Sequence, residues 1–216
     1  MDFDEIADRY DSWYNTDFGR YANRLEKKLL MAFIDPRGGE RVLDVGCGTG
    51  TYALEFVKLG LDVVCLDSSR RMLKIARTKS GDMDMALGCA EGMPFRDDSF
   101  DFVVGVTLFE FLRKPEEAVR EMRRVLKPGG RIILGVLNKN SLFALYERLT
   151  GNETYTDARF YSPYELNTLG VKRWDSTLFA FKKTPGFMLD WFSKADRILS
   201  KIFKPFGAFI VAELNK

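Results

Sequence analysis

The chain has 216 residues, of which 46% are hydrophobic and 30% charged, with 33 basic side chains against 31 acidic ones and a formal charge of +2. That balance fits one globular domain with a real core, and the lack of a basic tract excludes bulk nucleic-acid binding. Histidine is absent, so no imidazole serves as base, acid or metal ligand.

The three cysteines, Cys47, Cys65 and Cys89, are odd in number and lack both disulfide-framework and zinc spacing. They read as reduced thiols, which leads to the expectation of a cytoplasmic protein without a metal site. The acidic, interrupted start does not resemble a signal peptide, and no apolar run is long enough to span a bilayer.

Phe3, Ile6, Tyr10, Trp13 and Tyr14 recur at helical spacing within residues 1–18, and Asn15 and Gly19 break the pattern. A second helix is predicted near 20–34, with Tyr21, Leu25, Leu29 and Phe33 on one face. Val42 to Val45 reads as a buried strand running into a glycine turn, Gly46-Cys-Gly-Thr-Gly50, with a helix opening at about Thr51. Glycines in such a turn let a ligand approach the main chain, and the helix start suits an anionic group. Asp44 sits inside this apolar strand, where a carboxylate is costly unless bonded. It either braces the turn or meets a cationic ligand amine.

Leu61 to Asp67 is predicted as the second strand. In nucleoside-binding α/β folds an acidic residue at that strand end accepts the ribose hydroxyls, and this is the role expected of Asp67. The other reading is a cap for the helix at 70–79, which Ser68 and Ser69 precede. Met72 lies one turn into that helix, either over an adenine face or in the core. A third strand covers 82–88 and a fourth Phe102 to Val106. Thr107 and Leu108 at its end face the crevice where open α/β sheets bind ligands. Glu110 reads as a solvent-facing helix residue, with an acceptor-site base as the second reading. An amphipathic helix over Pro115–Leu126 leads through a proline-glycine turn into strand 5.

Beyond Leu137, a helix is expected at Ser141–Leu149, a polar stretch at 150–160, and a capping-box helix start at Ser162-Pro-Tyr-Glu165. Strands 6 and 7 are expected at 171–181 and 206–213. Between them, Met188, Trp191, Phe192, Ala195, Ile198, Leu199, Ile202 and Phe203 share one helical face. Packing on the core is the first reading of that face. A wall for an apolar acceptor and contact with a membrane surface are the others. Strands alternating with helices over 41–137 argue for an α/β fold with a doubly wound, mostly parallel sheet.

The stretch Val42-Leu-Asp-Val-Gly-Cys-Gly-Thr-Gly50 resembles the first motif of the class I S-adenosylmethionine (SAM)-dependent methyltransferases. Gly88-Cys-Ala-Glu-Gly-Met-Pro-Phe-Arg-Asp-Asp-Ser-Phe-Asp101 resembles their G-D-A-x-x-L-P-F-x-D-x-S-F-D stretch, with Cys89 in place of the usual aspartate. Arg124 to Ile133 and the Ser-Pro-x-Glu-Leu run at 162–166 are similar to further markers. The resemblance covers roughly residues 7–170 and points to the small-molecule branch, of the ubiquinone/menaquinone-biosynthesis type.

It implies a seven-stranded Rossmann-like sheet with the last strand antiparallel, in one domain. Residues 1–34 would form a helical lid, 41–137 the cofactor core, and 138–216 acceptor-side elements and the last two strands. The implied cofactor is SAM, with S-adenosylhomocysteine as product. Its contacts would come from Tyr10, Tyr14, Asp44, Gly46, Cys47, Gly48, Gly50, Asp67, Ser68, Met72, Ala90, Glu91 and Thr107, and Trp13 or Tyr161 would face the acceptor. The expected function is methyl transfer to a small molecule, flat or apolar. The alternative is a non-catalytic SAM-binding module acting through a partner protein. Neither a catalytic residue nor an oligomeric state is read from the sequence.

Overall fold

A computed structural model describes residues 3–150, 158–180 and 182–216. Most of the polar stretch 150–160 and Phe181 lie outside the described residues. Seven strands form one sheet: β1 (Arg41–Val45), β2 (Asp62–Asp67), β3 (Met83–Leu87), β4 (Phe100–Val106), β5 (Leu126–Leu137), β6 (Val171–Thr177) and β7 (Phe209–Asn215), in the order β3-β2-β1-β4-β5-β7-β6. β1 to β5 pair in parallel, and β7 runs antiparallel between β5 and β6. The expected last antiparallel strand is therefore present, inserted ahead of β6 and starting three residues later than its apolar run suggests. Phe206 is in a 3-10 turn instead.

The strands are apolar on both sides because helices cover both faces. On one face α2 (Asp17–Ile34) and α3 (Ala53–Lys58) pack Leu25, Phe33 and Phe56 against Val42, Val104, Ile133 and Val211. On the other, α5 (Pro115–Val125) and α7 (Pro163–Asn167) pack Ala118, Met122 and Leu166 against Leu43, Val103, Ile132 and Ile210. A fully buried side chain such as Phe56 or Met122 contributes about 1.5–3 kcal/mol.

Local chemistry places these helices. α5 has Pro115 in its first turn with Glu116 and Glu117, and Arg123 and Arg124 in its last, matching the helix dipole. The capping box on α7 is formed, Ser162 and Glu165 each bonding the other's backbone. Arg124 ties α5 to the 88–101 stretch. Its guanidinium donates to Glu121, Asp97 and the carbonyls of Met93 and Phe95, at 2.7–3.0 Å.

The N-terminal segment is two pieces, α1 (Phe3–Tyr10) and a 3-10 helix over Asp11–Asn15. Gly19 does not break the pattern; it lies inside α2, which Thr16 caps. A Cβ at Gly19 would stand 2.0 Å from the Trp13 carbonyl oxygen, so glycine is what lets α2 meet the 3-10 helix.

The remaining helices are α4 (Arg70–Lys79), α6 (Leu142–Thr150) and α8 (Gly186–Ile202). α8 meets the core-packing expectation only in part: of the expected face Phe192 packs against the core, and Ala195 and Leu199 are half-buried. It buries Leu189 and Asp196 and leaves Phe187, Trp191, Ile198 and Ile202 exposed. Its buried face turns on the polar Asp196, a residue that apolar periodicity passes over.

Candidate functional site

Strand order reverses between β1 and β4, the place where an open parallel sheet leaves a crevice beyond its strand ends. A cleft of about 240 Å³ opens there. The ends of β1, β2 and β4 supply Val45, Gly46, Gly48, Asp67 and Thr107; α4 supplies Met72; the following loops supply Cys89, Ala90, Glu91 and Leu108.

Gly46, Gly48 and Gly50 have φ of 69°, 54° and 77°, in the region that favours glycine. The first two differ in what surrounds them. A Cβ at Gly46 would lie 2.7 Å from Leu108 Cδ1, whereas one at Gly48 would meet nothing within 4 Å. The main chain at Gly48 therefore faces open space on the cleft side.

Asp67 joins this turn to α4. One carboxylate oxygen accepts the Gly48 N–H and the other the Ser69 N–H, both at 2.8 Å. Ser69 caps α4 by accepting from the Met72 N–H at 3.0 Å. Burial raises the Asp67 pKa, and the backbone donors oppose that rise. Each carboxylate oxygen offers two lone pairs, so both retain capacity for further donors.

Asp44 is buried, and burial, then the neighbouring Asp67 charge, push its pKa up to about 7 against one backbone bond from Ala53. Its Oδ2 has no hydrogen-bond partner. The carboxyl thus braces the start of α3, and its other oxygen stays unpaired.

Above the cleft, the Tyr10 and Thr107 hydroxyls bond, and burial pushes the Tyr10 phenol up to about 12. Thr107 has φ 48°, rare for a β-branched residue and a sign of backbone held under strain beside the cleft. The N-terminal segment is latched to the core by acidic side chains. Asp4 accepts from Ser69 and from the Arg71 N–H, Asp8 pairs with Arg71, Asp11 pairs with Lys79 at 2.6 Å, and Thr49 donates to Asp11 at 2.6 Å. Phe3 closes the far side, edge-on to Phe111 at 5.2 Å.

Of the residues singled out in the sequence, Tyr10, Gly46, Gly48, Asp67, Ser68, Met72, Ala90, Glu91 and Thr107 line the cleft together. Gly50 instead packs against Ala76, at 3.1 Å for an added Cβ. Tyr14 bonds Thr51, and Cys47 turns its thiol into the core towards Cys65. Tyr161 packs on Phe109 and donates to its carbonyl at 3.2 Å, on the other face of the sheet. It is core, not an acceptor wall.

Glu110 is not solvent-facing. It is 1% exposed, its Oε1 accepts the Leu137 N–H at 2.6 Å, and its Oε2 has no partner. Burial pushes its pKa up to about 7. Sequence reasoning missed a second such group, Glu26 on α2, which is buried, accepts from the Tyr52 hydroxyl at 2.8 Å, and is likewise raised by burial to about 7. On the same face Phe18, Phe143 and Phe160 stack with near-parallel rings 6.4 and 6.5 Å apart, beside Trp13 and Leu137.

A family model described as a methyltransferase domain matches residues 43–134. An uncharacterized protein of Methanocaldococcus jannaschii is 33% identical over 221 residues, covering 99% of this chain and 98% of the relative. The demethylmenaquinone methyltransferase of Renibacterium salmoninarum is 38% identical over 132 residues, which cover 61% of this chain and 55% of that enzyme. A SAM-dependent methyltransferase of Thermotoga maritima has the same fold, with TM-score 0.75, 28% identity, and 98% and 96% of the two chains covered. The chain belongs to the class I SAM-dependent methyltransferases.

The cleft of this methyltransferase suits SAM on its own terms: open main chain at Gly48, the carboxylate of Asp67, and apolar walls from Leu66, Met72 and Ala90, while Asp44 lies buried behind the turn and does not line it. Nothing among the relatives or in the cleft favours the alternative of a non-catalytic binding module. Among the described residues no cluster could hold a metal ion, and no helix is long and apolar enough to cross a membrane.

Proposed function

We propose that this protein transfers the methyl group of SAM to a flat, apolar small molecule carrying an ionisable hydroxyl. The observation that carries this reading is the approach of two features to Leu137: the stack of Phe18, Phe143 and Phe160 shares its core cluster, and Glu110, with one oxygen free, accepts its N–H. The likeness to demethylmenaquinone methyltransferase supports it, although the chain spans little more than half of that enzyme's length.

Bound SAM supplies an electrophilic methyl group on a sulfonium cation. In this reading the Gly46–Gly48 main chain holds the amino-acid end, with Cys47 contributing its backbone, and Asp44 offers Oδ2 to the cation. Gly50 gives the turn its close fit to α4. Asp67 accepts the ribose hydroxyls, and Ser68, Met72, Ala90 and Glu91 frame the adenine, where Cys89 leaves the exocyclic amine to other acceptors.

Tyr10, Tyr14 and Thr107 close the site and exclude water. Holding donor and acceptor aligned supplies about 7–11 kcal/mol in favourable cases. Glu110 accepts the acceptor's proton at Oε2, its pKa near 7 suiting it to that task at neutral pH. Residues 1–34 then act as lid, 41–137 as cofactor core and 138–216 as the acceptor side of one domain.

The test is a mass-spectrometric screen for methylated products with SAM and three acceptor sets: hydroxynaphthoquinols and phenols, aromatic amines, and small polar acids. The description of the Thermotoga neighbour names histamine as its candidate acceptor, which makes the amine arm informative. Turnover confined to the apolar hydroxylated set is expected. Turnover on polar acids with none on the apolar set would overturn the acceptor reading.

A further inference from the structure

We infer that α8 docks this protein on an anionic lipid surface, lying in the interface with its outward stripe among the headgroups. Phe187, Trp191, Ile198 and Ile202 are 82%, 61%, 62% and 66% exposed. At 100° per residue they fall within about 60° of one another, so they form a single stripe. Phe203 and Phe206, past the helix end, are exposed as well.

The stripe cannot roll inward, because the opposite side of α8 is fixed. Asp196 accepts from the Thr177 hydroxyl at 2.6 Å and from the Leu178 N–H at 2.9 Å, and Leu189 is buried beneath it. Arg24 on α2 bonds Ser193 at 3.2 Å. The outward setting is therefore built in.

The charge around the stripe selects the surface. Residues 182–206 carry six basic side chains and two acidic ones, a net +4, while the remainder of the chain is net −2. One of the two acids, Asp196, is buried. Lys194 and Lys201 follow one edge of the stripe, and exposed Lys182 and Lys183 lead into the helix. A helix with bulky apolar residues on one side and lysines beside them binds anionic lipid by area and charge together. A protein interface would want its core depleted of such cations.

α6 adds a second outward apolar row, Leu142, Leu145 and Leu149. Lys182 pairs with its Glu147 at 3.6 Å and Lys183 lies 5.7 Å over its Tyr146 ring, which ties α6 to the segment leading into α8. α2 packs on both α8 and the N-terminal 3-10 helix. The inference stands apart from the acceptor reading, since binding to vesicles requires no turnover.

The experiment is co-sedimentation of the whole protein with vesicles of phosphatidylglycerol and phosphatidylcholine in equal parts, and with vesicles of phosphatidylcholine alone. Binding to the anionic vesicles is expected, at least about tenfold weaker on the neutral ones or in high salt. The double variant Trp191→Ser/Ile198→Ser should lose binding to both, and Lys194→Glu/Lys201→Glu should lose the preference for the anionic vesicles. SAM affinity, measured alongside, should stay unchanged in both, which shows that they fold. Absence of vesicle binding by the unaltered protein, or binding that neither variant changes, overturns the inference. So does a dimer in light scattering that the Trp191→Ser/Ile198→Ser variant dissolves, which would make the stripe a contact between copies.

Discussion

The two ends of this molecule do their chemistry with different parts. The donor cleft is built largely from backbone: three left-handed glycines, an N-capped helix and one carboxylate that ties them together. The region proposed for the acceptor is built from side chains of distant segments: Trp13, Phe18, Phe143 and Phe160 pack on one sheet face, Glu26 bonds Tyr52, and Glu110 bonds the Leu137 N–H. Backbone sites depend on local turns and tolerate little change in residue type. Side-chain sites depend on packing and can be rebuilt for a new ligand without touching the turns. A shared donor half joined to differing acceptor halves is what that difference would allow.

The sharpest way to separate the halves is Glu110→Gln. It removes the acid–base function while keeping size and one acceptor oxygen. Turnover should fall by about 10²–10⁴-fold. Calorimetric SAM affinity should not move, because Glu110 lies outside the donor cleft. In the unaltered protein the rate should rise with pH through about 7 as the carboxyl ionises, and the variant should lose that inflection. An unchanged pH profile would remove Glu110 from the chemistry.

Asp67→Ala should do the reverse. Losing two charge-assisted bonds to the ribose costs about 3 kcal/mol, a little over a hundredfold in SAM affinity. Titration with SAM and S-adenosylhomocysteine reads this directly, and an unaltered affinity would show that Asp67 only joins the glycine turn to α4.

The glycines sharpen the comparison within the donor half. Gly46→Ala and Gly48→Ala each impose about 1–2 kcal/mol of left-handed strain. Gly46→Ala also drives a methyl group into Leu108 and should lower the melting temperature more. Gly48→Ala has room in the folded protein, so its main loss should appear as SAM affinity. Equal effects on both measurements would mean that the open space at Gly48 is not where the ligand lies.

What could be read from the sequence follows the same division. Gly46 to Gly50, Asp67 and the 88–101 stretch announce themselves by spacing, because a turn of that shape needs those residue types in that order. Glu26 does not, since it is one more charged residue beside Lys27 on an amphipathic helix, and only the fold reveals that it is inside. Glu110 reads as solvent-facing for a related reason: in Phe109-Glu-Phe111 the short 3-10 turn, unlike a helix, buries the adjacent Phe109 and Glu110 together. Periodicity over α8 groups Phe192 with Trp191 and Ile198 and passes over Phe187, whereas the bonds of Asp196 set the helix so that Phe192 packs on the core and Phe187, Trp191, Ile198 and Ile202 face outward.

Buried carboxyls give a further contrast in pH dependence. Glu26, Asp44 and Glu110 all have folded pKa values near 7, above their unfolded values near 4. Between those limits the folded state holds more protons than the unfolded one, so stability falls as pH rises from about 4 to 7 and then levels. Each group contributes on the order of 1 kcal/mol or more, and urea melts at pH 5 and 8 should show the difference. SAM binding should reduce the Asp44 share, because a nearby cation favours its ionised form. A protein equally stable at both pH values would mean that water reaches these groups.

The smallest effect concerns the latch between the halves. Arg71–Asp8 is exposed and Lys79–Asp11 partly so, and such pairs are worth about 0.2–1 kcal/mol. Asp8→Asn and Asp11→Asn together should barely change the melting temperature. Their cost belongs to the docking of the N-terminal segment, the proposed lid, which meets α4 through these pairs and through the bond of Asp4 to Ser69. Stopped-flow release of S-adenosylhomocysteine should therefore quicken by about two- to fivefold, within what that energy permits. The same change should appear at low salt and shrink at high salt, where screening already loosens the pairs in the unaltered protein. A release rate indifferent to both the substitutions and the salt would place the rate-limiting motion elsewhere than in α1, with Thr107 and its strained backbone as the next element to perturb.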